Sequence, residues 1–224
     1  MSDFKISNRL CTAASFVRDG AVVADIGTDH AYLPIYLLLN NKITRAYASD
    51  INVGPIQRAK ENIQKYGLEK YIEAKVASGL DGIENASPDD IVICGMGGEL
   101  IVKILENSSY IRNENVRLIL QPMTHVEQVR DYLSNGFSTV AEKVVFEDGK
   151  LYQVLCLQYD GAFHPHSRIE LELGKINIQN RSEEFKILLN STIAKKRKRR
   201  EGLRIGGYGT REIDVEIEEL EKLV

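Results

Sequence analysis

The sequence has no apolar run long enough to cross a membrane, so no spanning helix is expected. Met1-Ser2-Asp3-Phe4-Lys5 puts no apolar core behind a basic head, and no signal peptide is expected. Cysteine is scarce: Cys11, Cys94 and Cys156 are odd in number and far apart. No CxxC or HxxxH spacing occurs, which argues against disulfides and a zinc site; no metal is expected. Cys94 and Cys156 lie in strand-like runs and Cys11 in a helical pattern, so the three read as buried thiols of a reducing cytoplasm.

The composition is that of an ordinary globular protein, 43% hydrophobic and 27% charged over 224 residues. That length accommodates one large domain or a domain with an appendage. The net charge of −3 hides an uneven distribution. Residues 1–160 hold 16 Lys/Arg against 21 Asp/Glu, and residues 161–224 hold 13 against 11. The C-terminal excess gathers in Lys195-Lys196-Arg197-Lys198-Arg199-Arg200. Such a run is either a solvated helix end or a contact to nucleic-acid phosphates.

An amphipathic helix is expected over 3–17, with Gly20 stopping it. Strands are expected at 21–26, 45–49, 71–76, 89–94 and 117–120. The helices between them carry Leu33, Ile35 and Leu37; Ile56, Ala59 and Ile63 after Pro55; Leu100, Ile101 and Leu105; and Val126, Val129 and Leu133. This alternation predicts a parallel sheet covered on both faces. The rhythm changes at 137–146 and 151–158, two runs joined by Glu147-Asp148-Gly149-Lys150. Asp-Gly between such runs signals a hairpin. An α/β sheet closing in an antiparallel hairpin is how the class I, Rossmann-like methyltransferase sheet ends. His164-Pro165-His166-Ser167 has linker character. Ser182 is a candidate cap for a helix that carries Phe185, Leu189 and Ile193, turns wholly basic, and is interrupted by Gly202 and Gly206-Gly207-Tyr208-Gly209. A last helix from about Thr210 carries Ile213, Ile217 and Leu220. The expected division is a domain at 1–160 and a coiled-coil-like helical hairpin at 161–224, too thin to hold a core alone.

The chemistry centres on Val22-Val23-Ala24-Asp25-Ile26-Gly27-Thr28-Asp29-His30. An apolar run ends in an acid, a glycine turn and a helix start, where an open α/β sheet holds a nucleotide-like ligand. One glycine stands where G-x-G-x-x-G has three, and Asp29 would repel a pyrophosphate. A ligand with no phosphate and a charged amino-acid end fits better. S-adenosylmethionine is such a ligand: its α-ammonium can pair with Asp25 or Asp29. Its ribose can bond Asp50, at the end of the second strand. The plainer alternative is that Asp29 caps a helix and His30 is a solvated loop residue. Ser78-Gly79-Leu80 is expected to wall the adenine pocket. Gly95-Met96-Gly97-Gly98 follows the fourth strand, where a methyltransferase of this class holds the atom to be methylated; the alternative is an ordinary glycine turn. The Asn/Asp-Pro-Pro-aromatic motif of adenine-N6 methyltransferases is absent, and Cys94, expected to face the core, is disfavoured as a nucleophile.

Ala24 to Pro34, Asn62 to Leu68, Ser78-Gly79-Leu80, Cys94-Gly95-Met96-Gly97-Gly98 and Leu118-Ile119-Leu120-Gln121-Pro122 together resemble the bacterial tRNA (adenine-N1)-methyltransferase family that acts on adenine 22. The resemblance covers the first 160 residues almost throughout. It implies S-adenosylmethionine as donor, with S-adenosylhomocysteine as product, tRNA as acceptor, and direct in-line attack of adenine N1 on the sulfonium methyl. The donor residues it implies are Asp25, Gly27, Asp29, His30, Leu33, Asp50, Ile51, Ser78, Gly79, Leu80 and Gly95. Gly95, Met96 and Gly97 would lie between donor and base, with His30 a participant. Lys5, Arg9 and the six cations Lys195 to Arg200 would hold phosphates. Met123 stands where the family commonly has Asn, which passes any base contact to Thr124 or His125. The alternatives are a methyltransferase for a small molecule or a protein, and a non-catalytic RNA-binding module on the same scaffold. The oligomeric state is open, with a monomer favoured.

Overall fold

The computed structural model describes residues 4–224. One sheet holds seven strands: β1 Ala21–Ile26, β2 Ile43–Asp50, β3 Ile72–Val76, β4 Asp90–Gly97, β5 Arg117–Thr124, β6 Asn135–Glu147 and β7 Lys150–Phe163. Their order is β3-β2-β1-β4-β5-β7-β6. The first five strands run parallel, and β7 enters antiparallel between β5 and β6. This is the class I methyltransferase sheet. Five of the six β1 residues are buried, as a central parallel strand requires when helices cover both faces. Asp148 and Gly149 both take positive φ, 48° and 75°, the geometry of a two-residue hairpin turn.

Helices α1 Asn8–Phe16, α2 Tyr32–Leu39 and α3 Val53–Lys65 cover one face. Helices α4 Gly98–Glu106 and α5 Val126–Leu133 cover the other. The expected first helix is shorter than 3–17: Ser7 caps it by accepting from the Leu10 N–H, Val17 ends it, and Gly20 lies beyond it. The exposed Cys11 corrects the expectation of three buried thiols. The fourth strand runs on through Gly95-Met96-Gly97, with register shifts against β5 on either side of Met96. Those residues are therefore an irregular strand end, not a turn.

The sequence reading places nothing between Ser167 and Ser182; the structure has α6 Arg168–Leu173 and α7 Lys175–Asn180 there. A capping box of Ser167 and Glu170 starts α6. Ser182 caps α8 Glu183–Ile205, which pairs with α9 Arg211–Glu221. Gly202 does not interrupt α8, a correction: one interior glycine costs about 1 kcal/mol, and α8 is held by its pairing with α9. Lys196–Glu216, Arg200–Asp214 and Arg197–Glu221 ion pairs fix the two helices antiparallel.

This arm rests on the sheet through an apolar cluster of Val144 from β6 with Ile169, Leu173, Phe185, Leu189, Ile193 and Leu220. Beside it lies a buried polar clamp. Arg130 on α5 donates to Glu142 Oε1, to Gln153 Oε1 and to the Leu171 carbonyl, each at 2.7 Å. The second Glu142 oxygen accepts the Ile176 N–H at 3.1 Å. Sheet, α5 and the entry to the arm thus share one set of bonds. Arg130→Ala would leave Glu142 buried without its cation, which costs about 3–5 kcal/mol. Urea unfolding at neutral pH measures this; a loss below about 1 kcal/mol would show that the clamp contributes little.

Candidate active site

The strand order reverses between β1 and β4, so a crevice opens at their carboxyl ends. A cleft of about 170 Å³ lies there, lined by Arg9, Leu10, Asp25, Gly27, Thr28, Asp29, His30, Tyr32, Leu33, Cys94 and Gly95. A larger cleft of about 640 Å³ sits by Asp19 and Lys42, which precede β1 and β2 at the opposite, amino ends of the strands. Position in the sheet, not volume, marks the site.

The turn after β1 is pinned to β2. The N–H groups of Gly27 and Thr28 both donate to the Ser49 carbonyl, at 2.7 and 2.9 Å. The Thr28 hydroxyl accepts the Ala31 N–H at 3.1 Å and starts α2. Gly27 has φ +78°, and a Cβ there would overlap the Met96 terminal methyl. The positive φ is the condition that calls for glycine, and the missing Cβ lets the flexible Met96 side chain of the β4 strand end lie against the β1 turn.

Asp25 is buried at the back of this cleft. Burial pushes its carboxyl up to about 6, against a smaller opposing effect of a hydrogen bond with Thr28. Asp29 is differently placed: it is exposed and paired with Arg58 on α3, and its second oxygen lies 3.3 Å from His30 Nε2. Of the two acids considered for an ammonium group, Asp29 has a cation and Asp25 has no ion-pair partner among the described residues.

His30 lines the cleft with its ring stacked on Tyr32, centroids 4.8 Å apart. Asn62 on α3 donates to the His30 carbonyl at 3.1 Å. His30 is thus a held wall of the cleft, not a solvated loop residue. Asp50 ends β2, and its Oδ1 accepts the Asn52 N–H at 2.7 Å. Ile51 beside it is 66% exposed, an apolar surface facing solvent. Ser78 and Gly79 follow β3, and Leu80 is buried behind them. Asp50, Ile51 and Ser78-Gly79-Leu80 lie along the adjoining strand ends, outside the enclosed cleft.

The four-residue glycine motif divides. Gly95 has φ +82°, is exposed, and has nothing within 4 Å of where a Cβ would stand. Gly97 is the N-cap of α4. Gly98 is buried, and a Cβ there would sit 2.6 Å from the Thr124 carbonyl oxygen, so it serves packing. Cys94 packs against the core, as expected, and also borders the cleft; burial pushes its thiol pKa well up, which keeps it protonated and unreactive.

The expected phosphate contacts also divide. Lys5 is exposed. Arg9 is committed: its Nε bonds Glu147 at 2.6 Å, its Nη1 bonds Gln121 Oε1 at 3.0 Å, and its guanidinium lies 5.1 Å from the Tyr152 ring centroid. Burial works to raise the Glu147 carboxyl, but hydrogen bonds from Arg9 and Asn8 outweigh it and hold it below the usual range. Lys196, Arg197 and Arg200 are in ion pairs with acids of the arm and of α6. Lys195, Lys198 and Arg199 are exposed, with no ion pair among the described residues. Met123 is exposed near the mouth, its sulfur 3.4 Å from Arg9 Nη1. Sequence reasoning gave no role to Thr28, Tyr32 or Arg58; only the Asp-His-Ala-Tyr motif, read with the stacking it permits, could have flagged Tyr32.

An acid raised this way destabilises the fold when ionised. From the ordinary 3.8 to about 6, the cost of ionising Asp25 is about 3 kcal/mol. The fold holds the proton more tightly than the unfolded chain. The penalty is therefore absent below about pH 4, grows as pH rises toward 6, and is complete above it. Asp25→Asn removes it, so the variant should be more stable than the parent by about 3 kcal/mol at pH 8 and by nearly nothing at pH 4. Urea unfolding across that range tests this; a pH-independent difference would refute it.

A family model described as a methyltransferase domain matches residues 6–155. The tRNA (adenine(22)-N(1))-methyltransferase of Bacillus subtilis (strain 168) is 40% identical over 177 residues, covering 79% of this chain and 74% of that protein. The crystal structure of the B. subtilis M1A22 tRNA methyltransferase TrmK superposes with a TM-score of 0.88 at 31% identity, over 99% of both chains. M. capricolum TrmK, in complex with the natural cofactor product S-adenosyl-homocysteine, superposes with a TM-score of 0.82 at 30% identity, over 97% of this chain and 96% of that one. The chain belongs to the tRNA (adenine(22)-N1)-methyltransferase family.

Proposed function

We propose that this protein methylates N1 of adenine 22 in tRNA, with S-adenosylmethionine as donor. Likeness to the B. subtilis enzyme across 79% of the chain carries the reading. The cleft supplies the chemistry. When bound, the donor provides a sulfonium methyl group and leaves as S-adenosylhomocysteine.

Asp25 suits the donor's α-ammonium, because a buried carboxylate without a cation gains most from one. Asp29 supports the site indirectly, by tying the turn to α3 through Arg58. Asp50 Oδ2 makes no hydrogen bond among the described residues and can accept from a ribose hydroxyl. Ile51 and Leu80 offer apolar surface to a purine, and Ser78 and Gly79 offer backbone. Gly27 and Leu33 shape the enclosed end.

Adenine N1 presents a neutral lone pair, so no side chain need remove a proton before transfer. The chain's work is then alignment and exclusion of water. Gly95 lets the base approach the strand end without meeting a side chain. Met96, lying over Gly27, closes one side of that approach, and Gly97 fixes it to α4. His30 acts as a wall, held by Asn62 and Tyr32. A base in tRNA must leave its stack to reach this depth. Lys5, Lys195, Lys198 and Arg199 are the cations placed to meet its phosphates.

Incubation with unmodified tRNA and labelled donor should incorporate label and produce a primer-extension stop at position 22, lost when adenine 22 is replaced by guanine. A stop at another position would overturn the site assignment. Donor affinity tests the role of Asp25. Calorimetry should show Asp25→Asn weakening it about 10- to 100-fold, the worth of a charge-assisted hydrogen bond. In the parent protein, Asp25 must lose its proton to pair an ammonium. Affinity should therefore fall toward tenfold per pH unit below about pH 6 and be flat above it. Equal affinity at pH 5 and pH 8 would exclude that pairing.

A further inference from the structure

Arg9 is a cation in the wall of a cleft that the donor reading fills with a cationic ligand. It lines the cleft together with Asp25, and its charge reaches Cys94 on the same wall, where it works to lower the thiol pKa. The fold needs it there. Gln121 on β5 is fully buried, and its Oε1 accepts from Arg9 Nη1 at 3.0 Å. A buried amide oxygen that loses such a bond costs stability. The same nitrogen lies 3.4 Å from the Met123 sulfur, and the guanidinium stands over the ring of Tyr152 on β7. Arg9 thus ties α1 to β5 and β7, and the tie leaves a positive charge at the cleft.

Glu147, at the end of β6, answers that charge from outside the cleft lining. Its Oε2 accepts from Arg9 Nε at 2.6 Å, its Oε1 accepts the Arg9 backbone N–H at 3.4 Å, and its side chain is only 11% exposed. These bonds hold the carboxyl below the usual range, so it is ionised at neutral pH. The carboxylates and guanidiniums that line the cleft are those of Arg9, Asp25 and Asp29. Asp29 is paired with Arg58 and Arg9 with Glu147, which leaves Asp25 as the one uncompensated charge of the three. Removal of the Glu147 charge would set a free Arg9 against Asp25 and cancel it.

The two ligands of a methyl transfer differ in charge. S-adenosylmethionine carries an ammonium, a carboxylate and a sulfonium, and is positive overall. S-adenosylhomocysteine keeps the first two, has a thioether in place of the sulfonium, and is neutral overall. A site with one uncompensated acid favours the first, and a free cation in its wall would oppose it. We propose that Glu147 determines this preference: by neutralising Arg9 it keeps the cleft negative and favours the sulfonium of the donor over the thioether of the product. Glu147 touches no reacting atom and acts through Arg9, so it is a positioning residue. The proposal rests on the S-adenosylmethionine reading of the cleft, and it gives Arg9 a different place from the phosphate contact its sequence position suggested.

The test is calorimetry of the full-length protein at pH 8 with S-adenosylmethionine and S-adenosylhomocysteine in turn. Both carry the same ammonium and carboxylate, so the ratio of their affinities isolates the sulfonium. Glu147→Gln keeps an oxygen that can accept from Arg9 and removes the charge. It should move the ratio toward the product by about tenfold, the order expected of one unpaired charge at an effective dielectric of about 20. Arg9→Gln leaves Glu147 unopposed and should move the ratio toward the donor. The double variant should return to the parent ratio even where its stability, read by urea unfolding, is lower. An unmoved ratio in both single variants overturns the proposal. So does equal loss of both ligands in Glu147→Gln, which is the mark of a purely structural pair, or equal gain of both, which would put Arg9 on their shared carboxylate. A parent protein that binds neither ligand is a failure of the donor reading itself; a parent that binds both while the variants leave the ratio unmoved is a failure of this proposal alone.

Discussion

A carboxylate buried without a cation is costly, and Asp25 is that carboxylate. The site is organised so that the fold bears this cost. Asp25 lies on an interior strand of the sheet, with β2 on one side and β4 on the other. The Ser49 carbonyl takes the two N–H groups that follow it and bends the chain away, so the acid faces the crevice. Gly27 makes that bend possible and admits Met96 from β4. Asp29, two residues beyond the bend, is satisfied by Arg58 instead. On the proposed pairing, the stability given up at this residue is returned as affinity for the donor's ammonium, a familiar exchange at binding sites.

The arm solves a different electrostatic problem. A thin helical hairpin needs partners, and it takes them from the sheet by an apolar cluster and the Arg130–Glu142 clamp. Its two helices then hold each other with Lys196, Arg197 and Arg200 against Glu216, Glu221 and Asp214. A run of six cations in sequence therefore is not six cations at a surface. Helical periodicity turns some toward α9, and those are matched by acids. What remains lies on the outer face, where a partner can reach it.

Much of the fold was legible in the chain. Alternating apolar runs located the parallel strands, Asp148-Gly149 located the hairpin, and Ser182 located the start of α8. Those signals are local. The helices at 168–180 were missed although Ser167 and Glu170 carry a capping pattern, because each helix is only six residues long and too short for a periodicity. Propensity makes Gly202 a break, but α8 runs through it, held by the pairing of the helix with α9. Gly95-Met96-Gly97 is expected at the end of the fourth strand, with a glycine turn as the alternative; only pairing with β5 carries the strand through it.

For the site, the sequence by itself determined the chemical types: an acid and a lone glycine after the first strand, an acid after the second, glycines after the fourth. Spacing along a chain fixes which residues can end neighbouring strands, and that sufficed to indicate a donor without phosphates. It could not decide which acid stays unpaired. Asp25 and Asp29 are four residues apart, yet Arg58, which separates them, comes from a helix a strand away. Likewise Arg9 and half of the basic run looked free until Glu147, Gln121 and the α9 acids were brought beside them. Charge is a property of residues, but available charge is a property of their neighbours, and only the tertiary structure supplies those.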